Sequence, residues 1–272
     1  SSKKSALGSS AVVDYLRGVR TGEVSNGGAY RNRTSVIGDF ANPAPVYVKA
    51  SNTIFAAAND GMLHAFNAGT GDELFAYVPW AVRNKLSSLT TNPYSHLFTV
   101  DGSPAVGDVY VGGGWKTMLV AGMSAGAPGV YALDVSNPAN FTEANAAQVV
   151  RWEVGSEDAD MGHVFGKPIL AKMRDGRWRA IVGNGYNSTN GKAVLMLIDL
   201  ETGAVTRIDT KSGSTTTPNG LSSVVVISSN DNNVADTVYA GDLSGNLWKF
   251  DLGDTNPNGW KVAYGTTATP KP

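Results

Sequence analysis

The feature that most constrains this chain is an internal repeat. Four segments share a run of apolar residues, then Asp or Asn, then a turn: His64-Ala65-Phe66-Asn67, Tyr131-Ala132-Leu133-Asp134, Met196-Leu197-Ile198-Asp199 and Trp248-Lys249-Phe250-Asp251. A β-rich run precedes each core, at residues 53–58, 117–122, 180–183 and 237–241, and three of these runs end at glycine. Glycine-containing turns join the two, at 59–61, 126–129, 187–191 and 243–245, where tight β connections need positive φ. A further apolar run lies upstream in each unit (45–48, 104–111, 168–171, 223–227) and another downstream (73–78, 149–154, 204–208, 260–264).

Four short strands per unit, recurring every 50 to 70 residues or so, are the mark of propeller blades. A doubly wound α/β fold would need helices of about 10 to 15 residues between its strands, and none is present. The expected fold is therefore all-β: a β-propeller of the quinoprotein-like kind, with about four four-stranded antiparallel blades at 44–79, 100–155, 164–210 and 220–265. One short inserted helix is expected over 79–89, opened by Pro79 and carrying Trp80, Val82, Leu86 and Leu89 as its apolar positions. Residues 1–35, glycine- and serine-rich with Arg17, Arg20, Arg31 and Arg33, read as an extended lead-in, and 36–272 as the propeller domain. The tail from Thr266 to Pro272 is expected to follow directly on the last strand.

Composition narrows the function classes. Of 272 residues, 42% are hydrophobic, enough for a core, and 32 are glycine, in keeping with many turns. With 22 basic and 23 acidic residues the net charge is −1, which leaves no footprint for nucleic acid or an anionic membrane. The lack of cysteine excludes disulfides, thiolate metal sites and cysteine nucleophiles. No apolar run reaches the roughly 18 residues of a membrane span. Residues 1–10 have no apolar stretch of the signal-peptide kind, so an export signal is expected to lie outside this chain.

Several longer motifs carry a family resemblance. Asp14-Tyr15-Leu16-Arg17-Gly18, Gly38-Asp39 with Pro45-Val46-Tyr47-Val48, and Asn59-Asp60-Gly61-Met62-Leu63-His64-Ala65-Phe66 occur in that order. Val100-Asp101-Gly102-Ser103-Pro104, Trp115-Lys116-Thr117 and Gly129-Val130-Tyr131-Ala132-Leu133-Asp134 follow, and then Tyr239-Ala240-Gly241-Asp242-Leu243 with Gly245-Asn246-Leu247-Trp248-Lys249-Phe250-Asp251-Leu252. From about Val12 to Tyr264 the chain resembles the C-terminal propeller of the PilY/PilC family of type IV pilus tip proteins. The resemblance implies a non-enzymatic, exported protein of a Gram-negative bacterium, at the cell surface on the pilus tip or outer membrane. Its implied roles are pilus biogenesis, twitching motility and virulence-related adhesion. Its implied partners are the minor pilins of the tip complex and a host-cell or surface receptor. Family propellers are usually larger than four blades, so the chain reads as part of a larger one.

The family also places a calcium site in the loop before Tyr-Ala-Gly-Asp, with EF-hand-like Asp-x-Asn-x-Asp-x-x-x-Asp spacing. Carried onto this chain, the ligands are Ser228, Asn230, Asn232, the Val234 carbonyl and Asp236, with Asn233 where EF-hands use glycine. Two positions acidic in the family are Ser and Asn here, which leaves Asp236 as the sole ligand carboxylate at its place. Affinity follows ligand charge, so calcium binding is expected to be weak or lost. The other reading of the loop is an Asn/Asp-rich turn held by side-chain to backbone hydrogen bonds.

Other candidates have plainer readings. Arg17-Gly18-Val19 stands where some family members read Arg-Gly-Asp, and Val19 removes the receptor-binding carboxylate. Asp175-Gly176-Arg177 reads as a hairpin turn. The 59–71 segment is also similar to blades of pyrroloquinoline-quinone dehydrogenases, where such residues dock one blade on another. A quinone-dependent propeller dehydrogenase is thus the alternative function, though no ligand set for a central calcium and quinone pocket is found. His64, His96 and His163 lack metal spacing, and Glu157, Asp158 and Asp160 read as a solvated loop with a second cation site as the rival. Trp115, Trp152, Trp178, Trp248, Tyr131 and Tyr239 are expected to pack between blades, with any exposed subset forming an adhesive surface. Loops at 84–99, 136–148, 155–166 and 209–221 are expected to carry partner contacts on one face.

Overall fold

A computed structural model describes residues 7, 9–229 and 233–272. Short apolar strands separated by glycine-containing turns build four sheets in chain order. The first blade comprises β1 (Val46–Val48), β2 (Thr53–Ala58), β3 (Met62–Asn67) and β4 (Glu73–Tyr77), each antiparallel to the next. The second comprises β5 (Ala105–Val111), β6 (Gly114–Gly122), β7 (Gly129–Asp134) and β8 (Val150–Gly155) in the same arrangement. The third comprises β9 (Ile169–Met173), β10 (Trp178–Gly183), β11 (Lys192–Asp199) and β12 (Val205–Gly213). The fourth starts with β13 (Leu221–Ile227); the chain then lends β14 (Val234–Ala235) to the third blade, parallel to β9, before β15 (Thr237–Asp242), β16 (Leu247–Asp251) and β17 (Lys261–Val262) complete it.

Alternate residues of each strand face opposite neighbours, and burial of those faces holds the blades together. Phe55, Leu63, Ala65 and Tyr77 of blade 1 pack on Leu119, Tyr131 and Leu133 of blade 2. The opposite face of blade 2 (Val109, Met118, Val120, Ala132, Trp152) packs on Ala180, Val194, Met196 and Ile198 of blade 3. Ile181, Leu195 and Leu197 of blade 3 then meet Val238, Trp248 and Phe250 of blade 4. Among the described residues no hydrophobic cluster joins blade 4 to blade 1, so four blades share three cores and form an arc.

Several segments differ from expectation. Within the stretch expected to be an extended lead-in, helix α1 (Ser10–Leu16) forms, capped by the Ser9 hydroxyl on the Val12 N–H at 3.3 Å. At seven residues it depends on packing, which Val12 and Tyr15 supply. The inserted helix is a 3-10 segment, Trp80–Thr90, with Val82, Leu86 and Leu89 buried and Trp80 exposed. Hydroxyls compete for its carbonyls at the end: Thr90 Oγ1 donates to Ser87 O and Thr91 Oγ1 to Ser88 O, both at 2.7 Å. A short helix α2 (Ala146–Val149) leads into β8. The chain does not run out after the last strand: β18 (Tyr264–Gly265) and β19 (Pro270–Lys271) make a closing hairpin. No helix among the described residues is long and apolar enough to cross a membrane.

Antiparallel order sorts the loops onto two rims. The blade-to-blade connections and the turns between second and third strands share one, the connection rim. Turns between first and second and between third and fourth strands share the other, the hairpin rim. The loops at 84–99, 155–166 and 214–220 therefore lie on the connection rim, whereas 136–148 lies on the opposite one and 209–213 belongs to β12. The four loops do not share a face.

Candidate functional site

The loop that links β13 to β15 lies on the hairpin rim and leaves its own blade. Val234 and Ala235 pair in parallel register with Lys172 and Met173, so the loop is laid along the edge of blade 3. Asn233 sits at φ 57°, the left-handed conformation expected for the glycine-equivalent position. Asp236 closes the loop. Its N–H donates to Ile227 O at 3.1 Å, and its own carbonyl accepts the Leu252 N–H at 2.8 Å. Its Oδ2 accepts the Ser229 N–H at 3.0 Å and the Ser229 hydroxyl at 2.6 Å. Its Oδ1 is buried and takes no hydrogen bond from the described residues. Burial pushes this carboxyl up, but the hydrogen bonds of Ser229 and Thr237 and the positive charge of Arg174 outweigh it and hold the group below the ordinary carboxylate value.

Of the five residues expected to ligate, Ser228 and Val234 are half-buried in the loop and Asp236 is buried at its base. Asn230 and Asn232 lie outside the described residues. The residue that meets Asp236 is Ser229, which the alternate-ligand spacing passes over. An orphaned, buried carboxylate oxygen and an all-oxygen donor set fit a hard cation. A single carboxylate with one oxygen already engaged fits only a weak one.

The connection rim is a polar seam. Asn59 Oδ1 accepts the Thr99 N–H of the next connection at 3.0 Å, and Asn184 Oδ1 accepts the N–H groups of Val194 and Leu221, both at 3.0 Å. Asn59 therefore docks blades, as the similarity to quinone-enzyme blades implies. His64 is buried with both ring nitrogens engaged, Nδ1 at 2.5 Å from Glu73 Oε1 and Nε2 at 3.0 Å from Asp60 Oδ2. Burial opposes the charged ring, yet the hydrogen bonds and charges of Asp60 and Glu73 raise its pKa above the ordinary value. His163 Nδ1 lies 2.7 Å from Ser124 O, and His96 Nε2 lies 3.1 Å from Asp39.

The acidic loop is likewise engaged. Asp158 pairs with Arg207, Asp160 accepts the Asn190 amide at 2.7 Å, and Glu157 Oε1 accepts the Gly155 N–H at 2.7 Å. Among the described residues no three His, Asp or Glu side chains converge as metal ligands would. A cavity of about 250 Å³ is lined by Tyr15 and Leu16 of α1, residues 31–39 and the turn at 59–60. Arg31 stacks over Tyr94 at 3.9 Å and Arg33 over Tyr15 at 3.6 Å. Arg33 also pairs with buried Glu23 at 2.9 Å, which fastens this segment beside α1.

The aromatic residues divide. Trp152, Trp248 and Tyr131 are buried between blades, whereas Trp115 is 68% exposed on the hairpin rim beside Trp178. The alternation of β6 gives no warning of this, because exposure at a hairpin tip is set by the neighbouring blade.

Comparison with known proteins is consistent with this architecture. The chain is 42% identical to the type IV pilus biogenesis factor PilY1 of Pseudomonas aeruginosa strain PAK, over 88% of this chain and 22% of that protein. A PilY1 homolog of Xylella fastidiosa is 38% identical over 93% of this chain and 20% of its own length. The chain thus spans about a fifth of these curated relatives. The crystal structure of the P. aeruginosa PilY1 C-terminal domain superposes with a TM-score of 0.66 at 39% identity, covering 78% of this chain and 44% of that one. Residues 25–268 match the family described as the PilY1 beta-propeller domain, and the chain belongs to that family.

Proposed function

We propose that this chain is a non-enzymatic module of a surface-located type IV pilus biogenesis factor. In this reading it acts in pilus assembly with the minor pilins of the tip complex, and in adhesion to a host-cell or surface receptor. The observation that carries the proposal is the 42% identity, across 88% of the chain, to a protein named for type IV pilus biogenesis. The engagement of its titratable groups supports a scaffold: His64, Asp158, Asp160 and Arg207 are taken up by one another or by neighbouring loops. The rims of a rigid arc are then the surfaces left for partners.

The test is removal of residues 36–272 from the full-length protein in its own host. Loss of surface pili by electron microscopy and loss of twitching zones is expected. Normal piliation together with normal motility overturns the reading.

Calcium modulation forms the finer part of the proposal and rests on the buried Asp236 Oδ1, which no described residue hydrogen-bonds. Binding at about millimolar calcium is expected, in the range of weak extracellular sites. Calorimetry should then show heat that Asp236→Ala abolishes, and a chelator should lower the Tm of the wild type. Absence of heat with an unmoved Tm leaves the loop as a hydrogen-bonded turn.

A further inference from the structure

Several of the large apolar side chains left in water stand on the strands of the blades. Val225, Ile227 and Leu247 share one face of blade 4, and Tyr47 belongs to the outer face of blade 1. These are the two ends of the arc, where sheet packing stops. Tyr110 and Trp115 belong to neither end. They stand on blade 2, which has a neighbouring blade on each side, and they are 51% and 68% exposed. Packing between blades leaves them largely exposed.

The hairpin that carries them is held in one shape. Val111 pairs with Gly114 across Gly112 and Gly113, whose φ values of 60° and 78° are those of a two-residue type I′ turn. Val109 and Val111 anchor it by burial against blade 3. The rung next to the turn pairs Tyr110 with Trp115, their rings edge to face with centroids 5.8 Å apart. Trp115 meets Trp178, the first residue of β10, in the same manner at 6.2 Å. Three rings from two blades are thus contiguous. The Tyr110 hydroxyl is turned back onto Gly113 O at 3.0 Å.

Groups of both signs stand around this hairpin. The carboxylate of exposed Glu201 lies 4.0 Å from where a Cβ on Gly112 would stand. Lys172 pairs with Trp178 across β9 and β10. Asp108, two rungs further from the turn, accepts the Thr117 hydroxyl at 2.7 Å. The rim favours neither an anion nor a cation.

We propose that Trp115, Tyr110 and Trp178 form a binding platform for a neutral saccharide. The electron-rich ring faces attract polarised C–H groups, and a pyranose presents a patch of these on each side. Its equatorial hydroxyls extend outward to donors and acceptors, which Lys172 and Glu201 supply. Rings already fixed against one another lose little freedom on binding. The platform adds a ligand class to the adhesive role proposed above, and it does not depend on the assembly role.

The test titrates the 272-residue chain with maltotetraose, cellotetraose and a β-1,4-linked N-acetylglucosamine tetramer. A heparin-derived oligosaccharide is the anionic control. Calorimetry and intrinsic tryptophan fluorescence are the readouts. At least one neutral probe is expected to bind at about millimolar strength, with Trp115→Ala weakening it about tenfold or more. Glu201→Gln should weaken it less, and both variants should keep the wild-type Tm because both side chains are exposed. The proposal is overturned if no neutral probe gives heat or a fluorescence change at about 10 mM. Unchanged binding by Trp115→Ala, or tighter binding of the anionic probe, also overturns it. So does a wild-type dimer that Trp115→Ala dissolves, which would make the patch a protein-docking surface. Saccharide binding is read on the purified chain and piliation in cells, so either reading can fail alone.

Discussion

His64 shows how one residue fastens two elements. It stands on β3, with Asp60 in the preceding turn on one ring nitrogen and Glu73 of β4 on the other. Asp60 in turn accepts the Gly38 N–H at 2.7 Å and so reaches the segment before β1. The two carboxylates raise the ring's pKa above 6.5 against the opposing effect of burial. A group with a raised folded-state pKa contributes stability that is full below its unfolded value and is lost as pH rises through the folded one. His64→Gln should therefore destabilise the protein by about 1–3 kcal/mol, the scale of a broken buried polar contact. The gap to wild type should be widest below about pH 6.5 and should narrow above it. Urea denaturation across that range checks the direction, and a gap that widens with pH refutes it. Asp236 has the opposite sign. Its depressed pKa contributes stability above the ordinary value of 3.8 that is lost as pH falls through the folded-state value. Ser229→Ala, which removes the 2.6 Å hydroxyl bond, should cost about 0.5–1.5 kcal/mol at neutral pH, with the deficit shrinking in acid.

At the scale of the strand, the second member of a blade is fixed by how closely the next blade approaches. A Cβ on Gly183 would meet Ser222 O at 2.0 Å and Leu221 O at 2.6 Å, and one on Gly122 would meet Val164 O at 2.6 Å. Gly241 occupies the same place in blade 4, and there the nearest atom is Asn246 O at 3.9 Å. Gly183→Ala should thus cost about 1–3 kcal/mol, as overpacking does. Gly241→Ala should be neutral or slightly stabilising in this chain. Paired denaturation curves decide it, and equal effects at the two sites would contradict the open arc. The glycines were legible in the sequence as strand ends, and so were the four-strand units, because repeated apolar runs and turn chemistry are local signals. What the glycines face was not legible, since the partner lies some forty residues away in the next connection. The same distinction explains the loop. The Asn233 conformation follows from local spacing, whereas the burial of Asp236, the loan of Val234–Ala235 to blade 3 and the Ser229 contacts do not. The 3-10 winding of Trp80–Thr90 and the helix at Ser10–Leu16 were hidden for a related reason, as short segments take their form from what they pack against.

At the scale of the molecule, an arc of four blades has two end faces, and blade 4 leaves the more apolar one. Val225, Tyr239 and Lys249 form one rung of that face, with Ile227 and Leu247 beside them. Val225 is 60% and Leu247 66% exposed, although residues on the opposite face of the same strands, Val238 and Phe250, are fully buried. The face has the alternation of a covered sheet but no cover from the described residues, apart from the Lys249 ammonium 5.9 Å from the rings of Tyr239 and Tyr264. Contiguous apolar patches of this kind drive association when they meet. The 272-residue chain should therefore self-associate reversibly, more so at higher salt, because little of the contact is ionic. A charge on the rung makes burial costly without touching the three inner cores, so Val225→Lys combined with Leu247→Lys should keep the chain monomeric with its Tm little changed. Sedimentation equilibrium over about a hundredfold range of concentration reads the result, since a complex that small patches hold dissociates on dilution. Monomeric wild type throughout that range would mean that Lys249 and the twist of the sheet already blunt the end. A double variant that still associates would move the contact to the outer face of blade 1, where Tyr47 is 54% exposed.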